Sequence, residues 1–160
     1  MFAIVSEVAY NVGFYGKVFY WKDQNVYFTL ALGLISIMFC DKAIEMFNKK
    51  NTMGGILAII GIAGCMAAAW FLKTAYSWFG VASVVCFFLF RKKELFRNIT
   101  VGVFLVVGAW FEIFALPAIF ILHKYNGKSG YKSKVTQIGF YIFYPAHILL
   151  LYGLKLAILG

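Results

Sequence analysis

The sequence predicts an all-α protein, a polytopic transmembrane bundle of five to six helices. Three observations predict it. Of the 160 residues, 63% are hydrophobic and 13% charged, whereas soluble domains carry about 45–50% apolar and about 25% charged residues. The apolar residues form long runs separated by short basic stretches. Those runs do not alternate in polarity, as barrel strands do. In hydrocarbon every backbone polar group needs an internal partner, so continuous apolar runs fold as helices. No repeat or low-complexity segment divides the chain, so residues 1–160 are expected to form a single transmembrane domain.

The opening stretch, Met1 to Tyr20, is apolar but holds Ser6, Glu7, Tyr10 and Asn11. On a helix these four fall within about 140° of arc, since each residue advances about 100°. The polar arc carries no Lys or Arg cluster of the kind that surface-lying helices use. The expectation is therefore a buried helix whose polar face seeks partners inside the bundle.

Five further stretches are expected to cross or nearly cross a bilayer, a crossing taking about 20 residues to cover about 30 Å. They run from Val26 to Cys40, Met53 to Leu72, Tyr76 to Phe90, Ile99 to Leu122 and Val135 to Leu159. Only Lys73, Thr74 and Ala75 separate the second from the third, which forces a tight antiparallel hairpin unless one of the two is tilted or re-entrant. Small residues at Gly54, Ala58, Gly61, Cys65 and Ala68 lie close to one face of the second run and form a helix-packing seam.

The net charge is +9, but the basic residues sit between apolar runs and not along one stripe. That distribution speaks against a nucleic-acid partner and favours reading Arg91, Lys92 and Lys93 as a membrane-edge anchor rather than a phosphate-backbone contact. The loops on the two sides carry seven basic residues each, so charge bias leaves the orientation open. Cys40, Cys65 and Cys86 lie in or beside apolar runs without CxxC spacing, which speaks against a zinc site or a disulfide framework. No metal is expected. The first basic residue is Lys17 and Glu7 interrupts the opening run, so the start does not read as a signal peptide.

Three places carry possible chemistry. Glu112 lies near the middle of the longest run, where a carboxylate costs roughly 2.5–3.5 kcal/mol to insert and must face the bundle interior or water. Pro117 lacks an N–H and leaves the Ile113 carbonyl without its helical donor. Glu112 either braces the bundle or accepts a proton or ligand. In the last run, Gln137, Tyr141, Tyr144, His147, Tyr152 and Lys155 share a stripe extending about 80° to either side of Gln137. Pro145 bends the helix beside His147. His147 is either a packing histidine or, in a partly hydrated cavity, a general base. The turn Tyr125-Asn126-Gly127-Lys128-Ser129-Gly130 has glycines that permit positive φ and a lysine, but read locally it is an ordinary interhelical turn.

Several segments together resemble the TraX family of bacterial membrane proteins. They are residues Phe2 to Asn11, Asn25 to Leu30 with Gly33 and Leu34, and Ala75 to Val81. The most specific are Tyr125-Asn126-Gly127-Lys128 and Phe140 to His147. The resemblance implies a multi-pass protein of the bacterial inner membrane, related to integral-membrane acyltransferases, with the bilayer as its surroundings. Acetyl-CoA would be the donor and an amine or hydroxyl the acceptor, the family's namesake activity being acetylation of the N-terminus of a conjugative pilin. On this reading His147, Tyr144 and Glu112 carry the catalysis: His147 is the base and Tyr144 an orienting hydroxyl. Asn126, Lys128, Glu7 and Asn11 bind substrate, with Lys128 on the donor phosphates.

Two departures stand out. Family members usually open with two more membrane helices, bearing an Asp-His pair and a Gly-Arg segment. Here the first residues match what would be the third helix, as in the C-terminal part of a longer architecture. An Asp commonly precedes the Tyr-Gly segment, and here that place is Ala75. These departures favour an inactive membrane fragment as the alternative. A small transporter subunit, with Glu112, His147 and Lys155 lining a path, is another.

Overall fold

The structure, a computed structural model, describes residues 2–108, 124 and 133–159. Among these residues six helices form: α1 (Phe2–Tyr15), α2 (Val26–Asn48), α3 (Thr52–Phe71), α4 (Ser77–Leu89), α5 (Glu94–Gly108) and α6 (Lys134–Leu159). The expected all-α architecture holds.

Helix α1 is built with its polar side inward. It buries Ser6, Ala9 and Asn11 and exposes Phe2, Ile4, Val5, Val8 and Phe14. That distribution suits an apolar surrounding and would be costly in water. The helix ends at Tyr15, short of the expected Tyr20, because Gly16 turns into the left-handed region at φ +63°. The chain then doubles back. Tyr15 stacks on Tyr20 with ring centroids 3.9 Å apart, and Asn25 Nδ2 donates to the Ala3 carbonyl at 2.7 Å.

Asn25 caps α2, its Oδ1 accepting the Tyr27 amide at 2.9 Å. The helix continues beyond the expected end at Cys40 to Asn48. Its last turns are charged and leave the apolar run, yet Glu45 bridges Lys42 at 3.1 Å and Lys49 at 2.6 Å along the helix. The Glu45 carboxyl is held below its ordinary value by Lys49 first and Lys42 second.

Helix α3 matches the expected run to within a residue at each end. It packs antiparallel to α2 along a face that takes Ala58, Gly61 and Cys65 from the expected seam and adds Gly55 and Ala69, with Gly61 meeting Phe39 and Gly55 meeting Phe47. A Cβ on Gly61 would come to 2.7 Å from the Phe39 ring, and one on Gly55 to 2.6 Å from Phe47. Helix α4 then runs parallel to α2, with Gly33 against Val84 and Gly80 against Thr29. The expected tight hairpin forms, and Cys65, Ala69 and Val81 make the core between α3 and α4, covered by Leu32, Phe39 and Met66. All three cysteines are free thiols.

The turn between α3 and α4 is tied to the segment before α2. Gln24 N–H donates to the Lys73 carbonyl at 3.0 Å and Ala75 N–H donates to the Gln24 carbonyl at 2.9 Å. Arg91 closes the other end of α4 by stacking 3.8 Å over the Phe88 ring, which suits the expected edge anchor. Helix α5 starts at Glu94, five residues earlier than the apolar run suggested. It packs on α4 through Phe79 and Phe104, centroids 4.8 Å apart.

Helix α6 runs through Pro145 without interruption and lies against α1. Phe2 stacks on Tyr141 with centroids 4.5 Å apart, and Gly13 faces Ile148, a buried residue of α6. Among the described residues two helices, α3 and residues Lys134–Ile158 of α6, are long and apolar enough to cross a membrane. Only 22% and 6% of their most apolar windows are buried. A core helix of a soluble protein would hide most of that surface.

Candidate functional site

The site grows from the polar arc of α1. One turn separates Glu7 from Asn11, so both side chains leave the same face. Glu7 Oε2 accepts the Asn25 amide at 3.0 Å, at the mouth of α2, where the helix N-terminus favours a negative group. Asn11 Nδ2 donates to the Val18 carbonyl at 3.5 Å. The second oxygens of both groups, Glu7 Oε1 and Asn11 Oδ1, are buried without a hydrogen-bond partner among the described residues, as are Ser6 Oγ and Thr29 Oγ1. A buried acceptor left unmet costs about 1–3 kcal/mol, so such a group calls for a ligand, ion or water. The carboxylate and the amide oxygen lack a hydrogen of their own to donate, so what meets them must bring an N–H, an O–H or positive charge.

Helix α6 supplies the opposite wall. The Tyr144 hydroxyl meets the Val26 amide and lies within electrostatic reach of Tyr10, Tyr27 and Glu7. The Tyr27 ring meets Tyr144 edge-on at 5.0 Å. His147 sits one turn further on, half-buried. Its Nδ1 lies 2.9 Å from the Phe143 carbonyl. Because a carbonyl only accepts, that contact sets the hydrogen on Nδ1 and leaves the Nε2 lone pair open. The imidazole is stacked on Phe143 at 5.0 Å and meets Tyr144 edge-on at 5.6 Å.

Glu7, Asn11 and Tyr144 thus converge, and His147 stands on their rim beside Tyr144. Glu112, Asn126 and Lys128 lie outside the described residues, as do Pro117 and the rest of the Tyr125–Gly130 turn. Lys155 is exposed on α6. Sequence reasoning passed over Asn25, Tyr10 and Tyr27 as site residues. Asn25 carried one signal, its position just before the apolar run at Val26, which is that of a helix cap. Its bond to Glu7 spans 18 positions and has no local signature.

The fold and this site define a helical protein with membrane-length apolar helices and a polar, tyrosine-walled centre between its first and last described helices. The chain belongs to the TraX family: the family model described as TraX protein matches residues 1–155. No curated protein and no solved structure matches it significantly.

Proposed function

We propose that this TraX-family chain is a multi-pass protein of the bacterial inner membrane that transfers an acetyl group from acetyl-CoA to an amine or hydroxyl acceptor, such as a pilin N-terminus. One observation carries the reading: two buried acceptor oxygens, Glu7 Oε1 and Asn11 Oδ1, stand without hydrogen-bond partners among the described residues, and Glu7 lies within electrostatic reach of Tyr144. An amine or hydroxyl acceptor brings the hydrogens they need.

Glu7 and Asn11 hold the acceptor's N–H or O–H groups and fix its lone pair. As that lone pair forms a bond to the thioester carbonyl carbon, His147 Nε2 takes the acceptor proton. The carbon–sulfur bond then breaks, and the thiolate leaves with the proton held by the imidazolium. Tyr144, set against the Val26 amide, orients the acceptor. By the family resemblance alone, Lys128 is assigned to the donor phosphates and Glu112 to the catalytic set.

The test places the full chain in membrane vesicles with labelled acetyl-CoA and a peptide bearing a free N-terminal amine. Label is expected to pass to the peptide and to fall about 10²–10⁴-fold with His147→Ala, the usual worth of a positioned base. Unchanged transfer by a folded His147→Ala protein removes His147 as base. Absence of transfer by the folded parent protein removes the reading.

A further inference from the structure

A second polar feature lies at the joined ends of α2, α3 and α4, away from the acyl-transfer centre. Asp23, Trp70, Phe71, Lys73, Thr74 and Ser77 line a shallow depression of about 440 Å³, within the size range of small-ligand sites. It holds one carboxylate and one ammonium. Among the described residues these two form no ion pair with each other, the ion pairs being those of Glu45. The Asp23 carboxylate and the Lys73 backbone are held in place independently. The Tyr15 hydroxyl donates to Asp23 Oδ2 at 2.6 Å. Lys73 and Ser77 both adopt left-handed backbone, at φ +52° and +50°, a conformation that residues other than Gly, Asn and Asp seldom adopt. The Gln24 pairing with the Lys73 and Ala75 backbone holds this turn. A strained turn that presents two polar side chains to one cavity is the kind of outlier that accompanies binding.

The depression also sits at a defined depth. The apolar helix α3 ends at Phe71, directly at the cavity, and Trp21, Trp70, Phe71, Tyr76 and Trp78 are exposed around it. Trp and Tyr gather where hydrocarbon gives way to headgroups. A ligand at this level with a negative and a positive end a few ångströms apart meets both charges at once. We propose that the depression binds the headgroup of a zwitterionic phospholipid whose ammonium bears N–H groups. The ammonium lies on Asp23 against the Trp70 ring, and the phosphate lies on Lys73 with the Ser77 hydroxyl as second donor. A trimethylated ammonium offers no N–H to Asp23, and an anionic headgroup lacking an ammonium leaves that carboxylate facing like charge. The site stands or falls independently of acetyl transfer.

The test uses the full chain in nanodiscs made with equal parts phosphatidylethanolamine, phosphatidylcholine and phosphatidylglycerol, followed by gentle delipidation and native mass spectrometry. One phosphatidylethanolamine is expected to stay bound in preference to the other two. Asp23→Asn keeps an oxygen for Tyr15, and Lys73→Asn suits the left-handed backbone. Each is expected to lower that retention about five-fold, the worth of one membrane-surface charge. Thermal melting reports whether each variant folds, and the exposed position of Lys73 keeps the test open if Asp23→Asn does not. Equal retention of the three lipids, or undiminished retention in the folded variants, overturns the proposal. Displacement of the lipid by soluble phosphoethanolamine at the same concentration overturns its membrane source, since an anchored lipid is expected to outcompete the free headgroup.

Discussion

Gly13→Ala tests the joint that brings the two walls of the site together. A methyl group on Gly13 would overlap Cγ2 of Ile148 and lie 3.8 Å from its Cβ. Ile148 is 7% exposed, and its branched Cβ allows little rotation away. Overpacking of this kind costs about 1–3 kcal/mol. Exchanging Gly for Ala inside a helix returns up to about 1 kcal/mol of intrinsic propensity. The net expectation is a loss of about 1–2 kcal/mol in stability, together with a fall in the proposed acetyl transfer as α1 is pushed from α6 and Glu7 from Tyr144. Ile148→Ala destabilises on its own, by about 2–5 kcal/mol for the emptied volume, but it removes the group that the added methyl would strike. In that background Gly13→Ala should be neutral or stabilising, a coupling of about 1–2 kcal/mol between contacting positions. Reversible unfolding in mixed micelles, followed for the parent, both single variants and the double variant, measures this cycle. Zero coupling, with Gly13→Ala harmless in both backgrounds, refutes the packing of α1 on α6.

Removing Asn25 by Asn25→Ala deletes the α2 cap and the bond to the Ala3 carbonyl. It should cost about 2 kcal/mol in the same unfolding assay, while Asn25→Asp retains most of the cap. Glu7→Gln keeps an oxygen for the Asn25 amide and should fold normally, whereas Glu7→Leu strands that amide and should lower the melting temperature. A melting temperature equal for the two would show that the Asn25 contact is unimportant. Glu45, held acidic by Lys49 and Lys42, supports the end of α2 fully above the ordinary carboxylate pKa and loses that support as the pH falls through its lowered value. Side-chain NMR should place its titration below that of a free glutamate, and added salt should move it back. An unshifted titration at low salt contradicts the ion pairs.

Much of the fold was legible because solvent preference writes directly into sequence. The bounds of α3 follow from an unbroken apolar run closed by Asn51 at one end and Lys73 at the other. The inward face of α1 was legible from Ser6, Glu7, Tyr10 and Asn11 alone, since an apolar surrounding leaves polar groups only one direction to point. The overrun of α2 was hidden, because its last turns rest on Glu45 pairs and not on hydropathy. The early stop of α1 depends on a single left-handed glycine inside an apolar stretch. On α6 the polar stripe foretold the face that meets α1 at Tyr141 and Tyr144. Ile148 lies about 20° from the centre of that stripe and is its most buried member, yet a search by polarity passes over it. His147 lies about 80° away, which is why it stands at the rim. The meeting of Glu7 with Asn25 and Tyr144 is tertiary, and no spacing along the chain announces it.

The polar face of α1 against the tyrosine face of α6 is the claim on which the site depends, and paired cysteines test it most directly. With Cys40, Cys65 and Cys86 replaced by Ala, Phe2→Cys is combined in turn with Tyr141→Cys and with Phe143→Cys, and membranes are oxidised before electrophoresis and peptide mapping. The stacked pair Phe2 and Tyr141 should cross-link within one chain, while position 143, exposed on α6, should not. Cross-linking at 143 in preference to 141 would place α1 on another face of α6 and contradict the account.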